Sequence, residues 1–127
     1  MKALIVDDSR AMRAIICKLL REVGFEVHEA KSGVEALVSL AKLKSVDLVL
    51  VDWNMPEMDG HEFLKRVRKE KQWADLRLMM VTTESELSQV TVALEAGADE
   101  YLMKPFDKEA LLEKLILLGL DPNERAA

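Results

Sequence analysis

The chain has 127 residues, half of them apolar and 32% charged, with a net charge of −5. That is enough for one domain with its own core. The negative balance excludes the basic footprint of a nucleic-acid binder and a polybasic membrane patch. Apolar runs such as Leu115 to Leu118 are far too short to span a bilayer. A single cysteine, Cys17, rules out an internal disulfide and fits a reducing, cytoplasmic setting. No signal-peptide pattern precedes the first strand-like run.

The elements alternate from the start. "ALIV" (Ala3 to Val6) is a short buried-strand run ending in Asp7 and Asp8. Met12, Ile15, Ile16, Leu19, Leu20 and Val23 then form one helical stripe, with Ser9 placed to cap it and Gly24 to stop it. Cys17 reads as packing on a flank of this helix. "FEVHEA" (Phe25 to Ala30) is the second strand, followed by a helix over roughly Val34 to Leu43. "LVLV" (Leu48 to Val51) runs straight into Asp52. A third helix follows Gly60 with Phe63, Leu64 and Val67. "LMMV" (Leu78 to Val81) ends in Thr82 and Thr83. A fourth helix carries Leu87, Val90 and Leu94 before Gly97. "EYLM" (Glu100 to Met103) ends in Lys104 and Pro105, and a fifth helix begins near Asp107 with Leu111, Leu112, Leu115 and Ile116. Three of the five strands are unbroken apolar, as strands covered on both faces should be. Five βα units predict a parallel sheet with helices on both faces. The domain is expected over residues 1–121, with 122–127 a polar tail that frays. On this reading no output module follows.

Open α/β sheets bind ligands at the carboxyl ends of their strands. The unusual polar residues of this chain fall there: Asp7, Asp8, Asp52, Thr82 and Lys104. Taken singly, each has a structural explanation as a turn former, a cap or a solvated side chain. Together they make an acidic cluster with one hydroxyl and one amine. A buried unpaired carboxylate is costly, so Asp52 needs partners. Three ionised carboxylates are balanced by a divalent cation together with Lys104. All-oxygen ligands suit Mg²⁺, with Mn²⁺ as a substitute, rather than zinc. His28 and His61 are too widely spaced to form a ligand pair and read as surface or helix-start residues. Such a site is equipped to receive a phosphoryl group on a carboxylate.

Four motifs in order, "IVDDS", "VDWNMPEMDG", "MMVTTE" and "YLMKPF", resemble the two-component response-regulator receiver domain, essentially from end to end. The resemblance implies a flavodoxin-like fold with strand order 2-1-3-4-5. It makes Asp52 the phosphoacceptor, Asp8 a direct metal ligand and Asp7 one acting through water. The main-chain carbonyl of Asn54 completes the metal site. Thr82 becomes the switch hydroxyl, Lys104 the phosphate-pairing lysine, Tyr101 the aromatic switch and Lys104–Pro105 a cis bond. "DWNMP" is closest to stand-alone chemotaxis receivers. Thr83 stands where these often carry a small residue, and the leucine-dense fifth helix matches them only loosely.

The resemblance implies a sensor histidine kinase as donor and a motility or other protein target, with a phosphatase as a further partner. The domain would catalyse only its own phosphorylation and dephosphorylation. The rival within the family is a phosphorelay intermediate or phosphate sink serving a histidine phosphotransfer protein. A phosphatase with an aspartate nucleophile would need a carboxylate two residues on, where Asn54 stands. A docking-only receiver would lack some of the motif residues, and all are present. Some apolar residues of the fifth helix, Leu117 or Leu118 among them, are expected to form a docking face.

Overall fold

The computed structural model describes residues 1–121, so the expected fraying tail lies outside the described residues. The elements run β1 (Lys2–Val6), α1 (Arg10–Glu22), β2 (Glu26–Ala30), α2 (Gly33–Lys42), β3 (Leu48–Asp52), α3 (Gly60–Lys69), β4 (Arg77–Thr82), α4 (Val90–Ala96), β5 (Glu100–Met103) and α5 (Lys108–Leu117). The five strands are parallel, in the order β2-β1-β3-β4-β5. Both the topology and the five flanking helices agree with the sequence reading.

The period of two along each strand sorts the core into two layers. Leu4, Val6, Val49, Val51, Leu78 and Met80 face one side, beneath α2, α3 and α4, with Phe63, Leu64 and Val67 packed on them. Ala3, Ile5, Leu48, Leu50, Met79 and Val81 face the other, beneath α1 and α5, with Ile16, Leu20, Leu111 and Leu115. Central strands covered on both faces have no polar side, which is why β1, β3 and β4 read as continuous apolar runs. Cys17 is buried in the second layer. Burial, reinforced by the nearby Glu29 carboxylate, pushes its thiol up to about 11. It is a packing group.

The helix starts follow their capping residues. Ser9, Ser32, Asp59 and Asp107 each accept a hydrogen bond from a backbone N–H in the first turn. Gly24 follows the end of α1 with φ +102°.

Two departures from the sequence reading have local causes. The fourth helix is split: residues Glu84–Gln89 form a 3-10 turn that carries Leu87, and α4 proper begins at Val90. Glu86 accepts bonds from the Thr83 N–H (3.1 Å) and hydroxyl (2.9 Å), tying down a tight first turn. A further 3-10 turn, Lys71–Trp73, precedes β4. At the end of α5, the capping residue Leu118 is buried at 8% exposure, whereas Leu117 is 70% exposed. Leu118 is therefore core, and only Leu117 of that pair is available to a partner.

This division of α5 is directly testable. Leu111→Ala should cost about 2–5 kcal/mol, because it opens a cavity in a sealed layer. Leu117→Ala should stay within about 0.5 kcal/mol of the parent. Urea unfolding of both variants measures the difference, and equal costs would contradict this seating of the helix.

Candidate functional site

Parallel pairing aligns the carboxyl ends of β1, β3 and β4, and the polar residues gather there. Asp52 is the last residue of β3, and its neighbour Trp53 donates its backbone N–H to the Val81 carbonyl at 3.1 Å. The chain then turns back tightly, with the Gly60 N–H donating to the Trp53 carbonyl at 3.0 Å. A Cβ on Gly60 would lie 2.9 Å from Trp53 Cα and 3.0 Å from the Asp52 carbonyl oxygen. Both are backbone atoms with little freedom to move, so this turn requires glycine. Trp53 itself is buried, its ring centroid 5.6 Å from that of His61 at the start of α3.

Asp7 follows β1 and is almost wholly buried. One of its carboxylate oxygens accepts the Ser9 N–H at 2.8 Å, and the other lies 3.3 Å from the Lys104 ammonium. The same ammonium lies 3.4 Å from Asp52 Oδ1. Asp8, next in the chain, is exposed at the rim. One carboxylate oxygen from each of Asp7, Asp8 and Asp52 can be chosen so that all three lie within 4.8 Å of one another. Lys104 itself is anchored by its backbone N–H, which donates to the Thr82 carbonyl at 2.7 Å. The Lys104–Pro105 peptide is cis.

Thr82 ends β4 fully buried, with its hydroxyl donating to the Thr83 carbonyl at 3.2 Å. Tyr101, on β5, is half-buried. The Lys114 ammonium sits 4.2 Å from its ring centroid and also pairs with Glu100 at 2.9 Å. Asn54 is exposed, and its backbone N–H is near enough to the Asp52 carboxylate to favour its ionised form. Asp7, Asp8, Asp52, Asn54, Thr82 and Lys104 therefore lie at this end of the sheet, and Tyr101 lies on the adjoining β5 strand.

Sequence reasoning passed over Arg13. Its Nη1 donates to the Asp7 carbonyl at 2.6 Å and its Nε pairs with Glu29 at 3.2 Å, which clamps the turn after β1 to the edge strand β2. No sequence signal separates Arg13 from the other cations of α1, because its partly buried role depends on how β2 pairs with β1.

The electrostatics identify what the site lacks. Burial, and then the neighbouring Asp7 carboxylate, push Asp52 up to about 6, while Lys104 and the Asn54 N–H pull the other way without prevailing. One ammonium does not balance this group of carboxylates. The oxygen donors fit a hard divalent cation, and their arrangement beside an amine can stabilise charge on a transferring phosphoryl group.

Residues 3–116 match the response regulator receiver domain family. The chain belongs to that family. The receiver is 47% identical over 129 aligned residues to the "Chemotaxis protein CheY homolog" of Campylobacter jejuni, covering 100% of this chain and 99% of that protein. It is 43% identical to "Chemotaxis protein CheY1" of Helicobacter pylori, over 94% of this chain and 98% of the relative. The solved structure of Vibrio cholerae chemotaxis protein CheY4 superposes with a TM-score of 0.85 at 38% identity, covering 92% of this chain and 97% of that one. No helix among the described residues is long and apolar enough to cross a membrane.

The raised Asp52 value makes the receiver's stability depend on pH. The folded state holds this proton more tightly than the unfolded chain, so protonation stabilises the fold. The gain is complete below the ordinary value of 3.8 and is lost as pH rises through about 6. Its full size is on the order of 3 kcal/mol. With chelator present, Asp52→Asn should be more stable than the parent at pH 8, by up to that amount, and the advantage should close as pH falls below about 4. Urea unfolding across this range measures it. A variant less stable than the parent at pH 8 would contradict the arrangement.

Proposed function

We propose that this receiver is a stand-alone, phosphorylation-activated response regulator of chemotaxis and motility signalling. Its domain is residues 1–121, it works in the cytoplasm, and it takes its phosphoryl group from a sensor histidine kinase. The carrying observation is the meeting of Asp52 with Asp7, Asp8 and Lys104 at one end of the sheet. The chain also spans nearly the whole length of relatives named as chemotaxis proteins.

Asp7, Asp8, Asp52 and the Asn54 carbonyl are the groups that would hold Mg²⁺, with Mn²⁺ as a substitute. When bound, the cation neutralises the carboxylates and the oxygens of the incoming phosphoryl group. Asp52 supplies the nucleophile: one carboxylate oxygen bonds to phosphorus as the P–N bond of a phosphohistidine breaks, and the imidazole nitrogen keeps the electron pair. Lys104, already between Asp7 and Asp52, is placed to transfer its ammonium to a phosphoryl oxygen. The domain acts on no substrate beyond its own aspartyl group, and water later removes the phosphoryl group.

The output side uses Thr82 and Tyr101. The Thr82 hydroxyl, which donates to the neighbouring Thr83 carbonyl, turns to the phosphoryl group. Tyr101 follows into the space vacated, leaving its contact with Lys114. The surface of α4, β5 and α5 changes with it, and that surface already presents Leu94, Met103 and Leu117. A motility target is the preferred partner for this face, and a phosphatase would read the same state. Phosphorylation shifts two existing conformations by a coupling energy of about 1–3 kcal/mol.

Incubation with acetyl phosphate and Mg²⁺, read by intact-protein mass spectrometry, should add one phosphoryl group to the parent and none to Asp52→Asn. Asp8→Ala should slow the gain by at least about tenfold, because it removes a direct ligand of the cation. Full phosphorylation of Asp52→Asn would sink the reading.

A further inference from the structure

The side of the sheet covered by α2 and α3 carries a groove of about 630 Å³, and none of its lining residues belongs to the acidic site. Leu37 of α2 and Trp73 form its apolar floor, both half-buried and packed on the core. The apolar surface continues over α2, where Val34 and Val38 lie one turn apart and are each 50% exposed. The Trp73 indole N–H makes no hydrogen bond among the described residues and is not sealed from solvent. A wedged tryptophan with a spare donor is the kind of side chain that anchors interfaces.

The charge on the α3 wall runs against that of the whole chain. The chain carries −5, whereas α3 holds Lys65, Arg66, Arg68 and Lys69 against the single carboxylate of Glu62. Arg66 is paired with Glu62 at 3.1 Å, and Arg68 is committed to Asp99 at 2.8 Å and to the Gly97 carbonyl at 2.9 Å. Lys65, Lys69 and the following Lys71 are exposed and make no ion pair among the described residues, and the exposed Glu70, which also lines the groove, offsets one of these three charges. A preference for cations at a helix C-terminus accounts for Lys69. It does not account for Lys65, which stands mid-helix one turn before Lys69, a spacing at which like charges oppose the helix.

We propose that the α2–α3 groove docks an acidic protein segment bearing a bulky apolar side chain. The apolar group lies on Leu37 and Trp73, carboxylates meet Lys65 and Lys69 on the groove wall and Lys71 just outside it, and a partner oxygen accepts from the Trp73 indole. This surface is separate from the α4–β5–α5 face and does not depend on the phosphoryl chemistry. The charge pattern selects an acidic partner over a second copy of this chain, because the row of lysines repels its own image across a two-fold axis.

The test uses the full chain and a synthetic amphipathic peptide, with Glu at its polar positions and Leu and Phe at helical spacing. A control peptide carries Lys in place of every Glu. Backbone amide and indole NMR signals of the protein are followed during titration. The acidic peptide should give saturable shifts at Leu37, Lys65, Lys69 and the Trp73 indole, weakening as salt rises, and the control should give none. Lys65→Glu combined with Lys69→Glu should weaken binding by at least about tenfold, while the paired arginine substitutions retain it. Unchanged melting temperatures confirm that these exposed changes leave the fold intact. Absence of saturable shifts, shifts located elsewhere, or affinity indifferent to charge reversal would each overturn the proposal. A dimer in sedimentation that charge reversal dissolves would overturn it too, by assigning the groove to a second copy.

Discussion

One ammonium group holds the acidic end of this molecule together. Lys104 reaches 3.3 Å to Asp7 and 3.4 Å to Asp52, two carboxylates that the sheet and its turns remove from water. Without it both charges would stand uncompensated, at a cost of several kcal/mol. With it the formal charges of Asp7, Asp8 and Asp52 still exceed the one ammonium, and burial, then the Asp7 carboxylate, hold Asp52 up at about 6. The fold thus holds a deficit that a divalent cation is suited to fill, and a transferred phosphoryl group, itself anionic, would add to the need for that cation. A site neutral at rest would have less use for the metal.

The rest of the architecture serves that arrangement. Placing β1 beside β3, and β3 beside β4, sets Asp7, Asp52 and Thr82 on adjacent strand ends without any long loop. The β5 strand then delivers Lys104, whose own N–H is held by the Thr82 carbonyl. The two apolar layers keep these strand ends in register, because slipping a strand by one residue would exchange its two buried faces. Gly60 and Arg13 act one step further out. The first permits the chain to turn tightly against Asp52, and the second pins the turn that carries Asp7. Thr82 and Tyr101, the two residues proposed for output, lie on the two strands that bring Lys104 into place.

Much of this was legible in the sequence, for a physical reason. Buried parallel strands are short apolar runs, so a charged residue at the end of one stands out, and Asp7, Asp52 and Lys104 all stand out in that way. Strand order came from resemblance, since nothing in a strand's own composition names its neighbour. The split of the fourth helix was not legible, because it turns on how Glu86 folds back onto Thr83. Arg13 was missed because its partners lie on another strand and in a backbone carbonyl. The burial of Leu118 beside exposed Leu117 was missed because α5 is apolar nearly all round, and composition alone does not orient such a helix. The lysines of α3 drew no notice in sequence, where helix cations are ordinary. They gain meaning only from the groove beside them and from the carboxylates they do not meet.

The claim that the acidic site is short of positive charge is most directly tested by titrating the Asp52 side-chain carboxyl by carbon NMR, first with chelator and then with excess Mg²⁺. The account predicts a midpoint of about 6 without metal and a marked fall when Mg²⁺ is added. An ordinary carboxylate midpoint that Mg²⁺ leaves unmoved would contradict it.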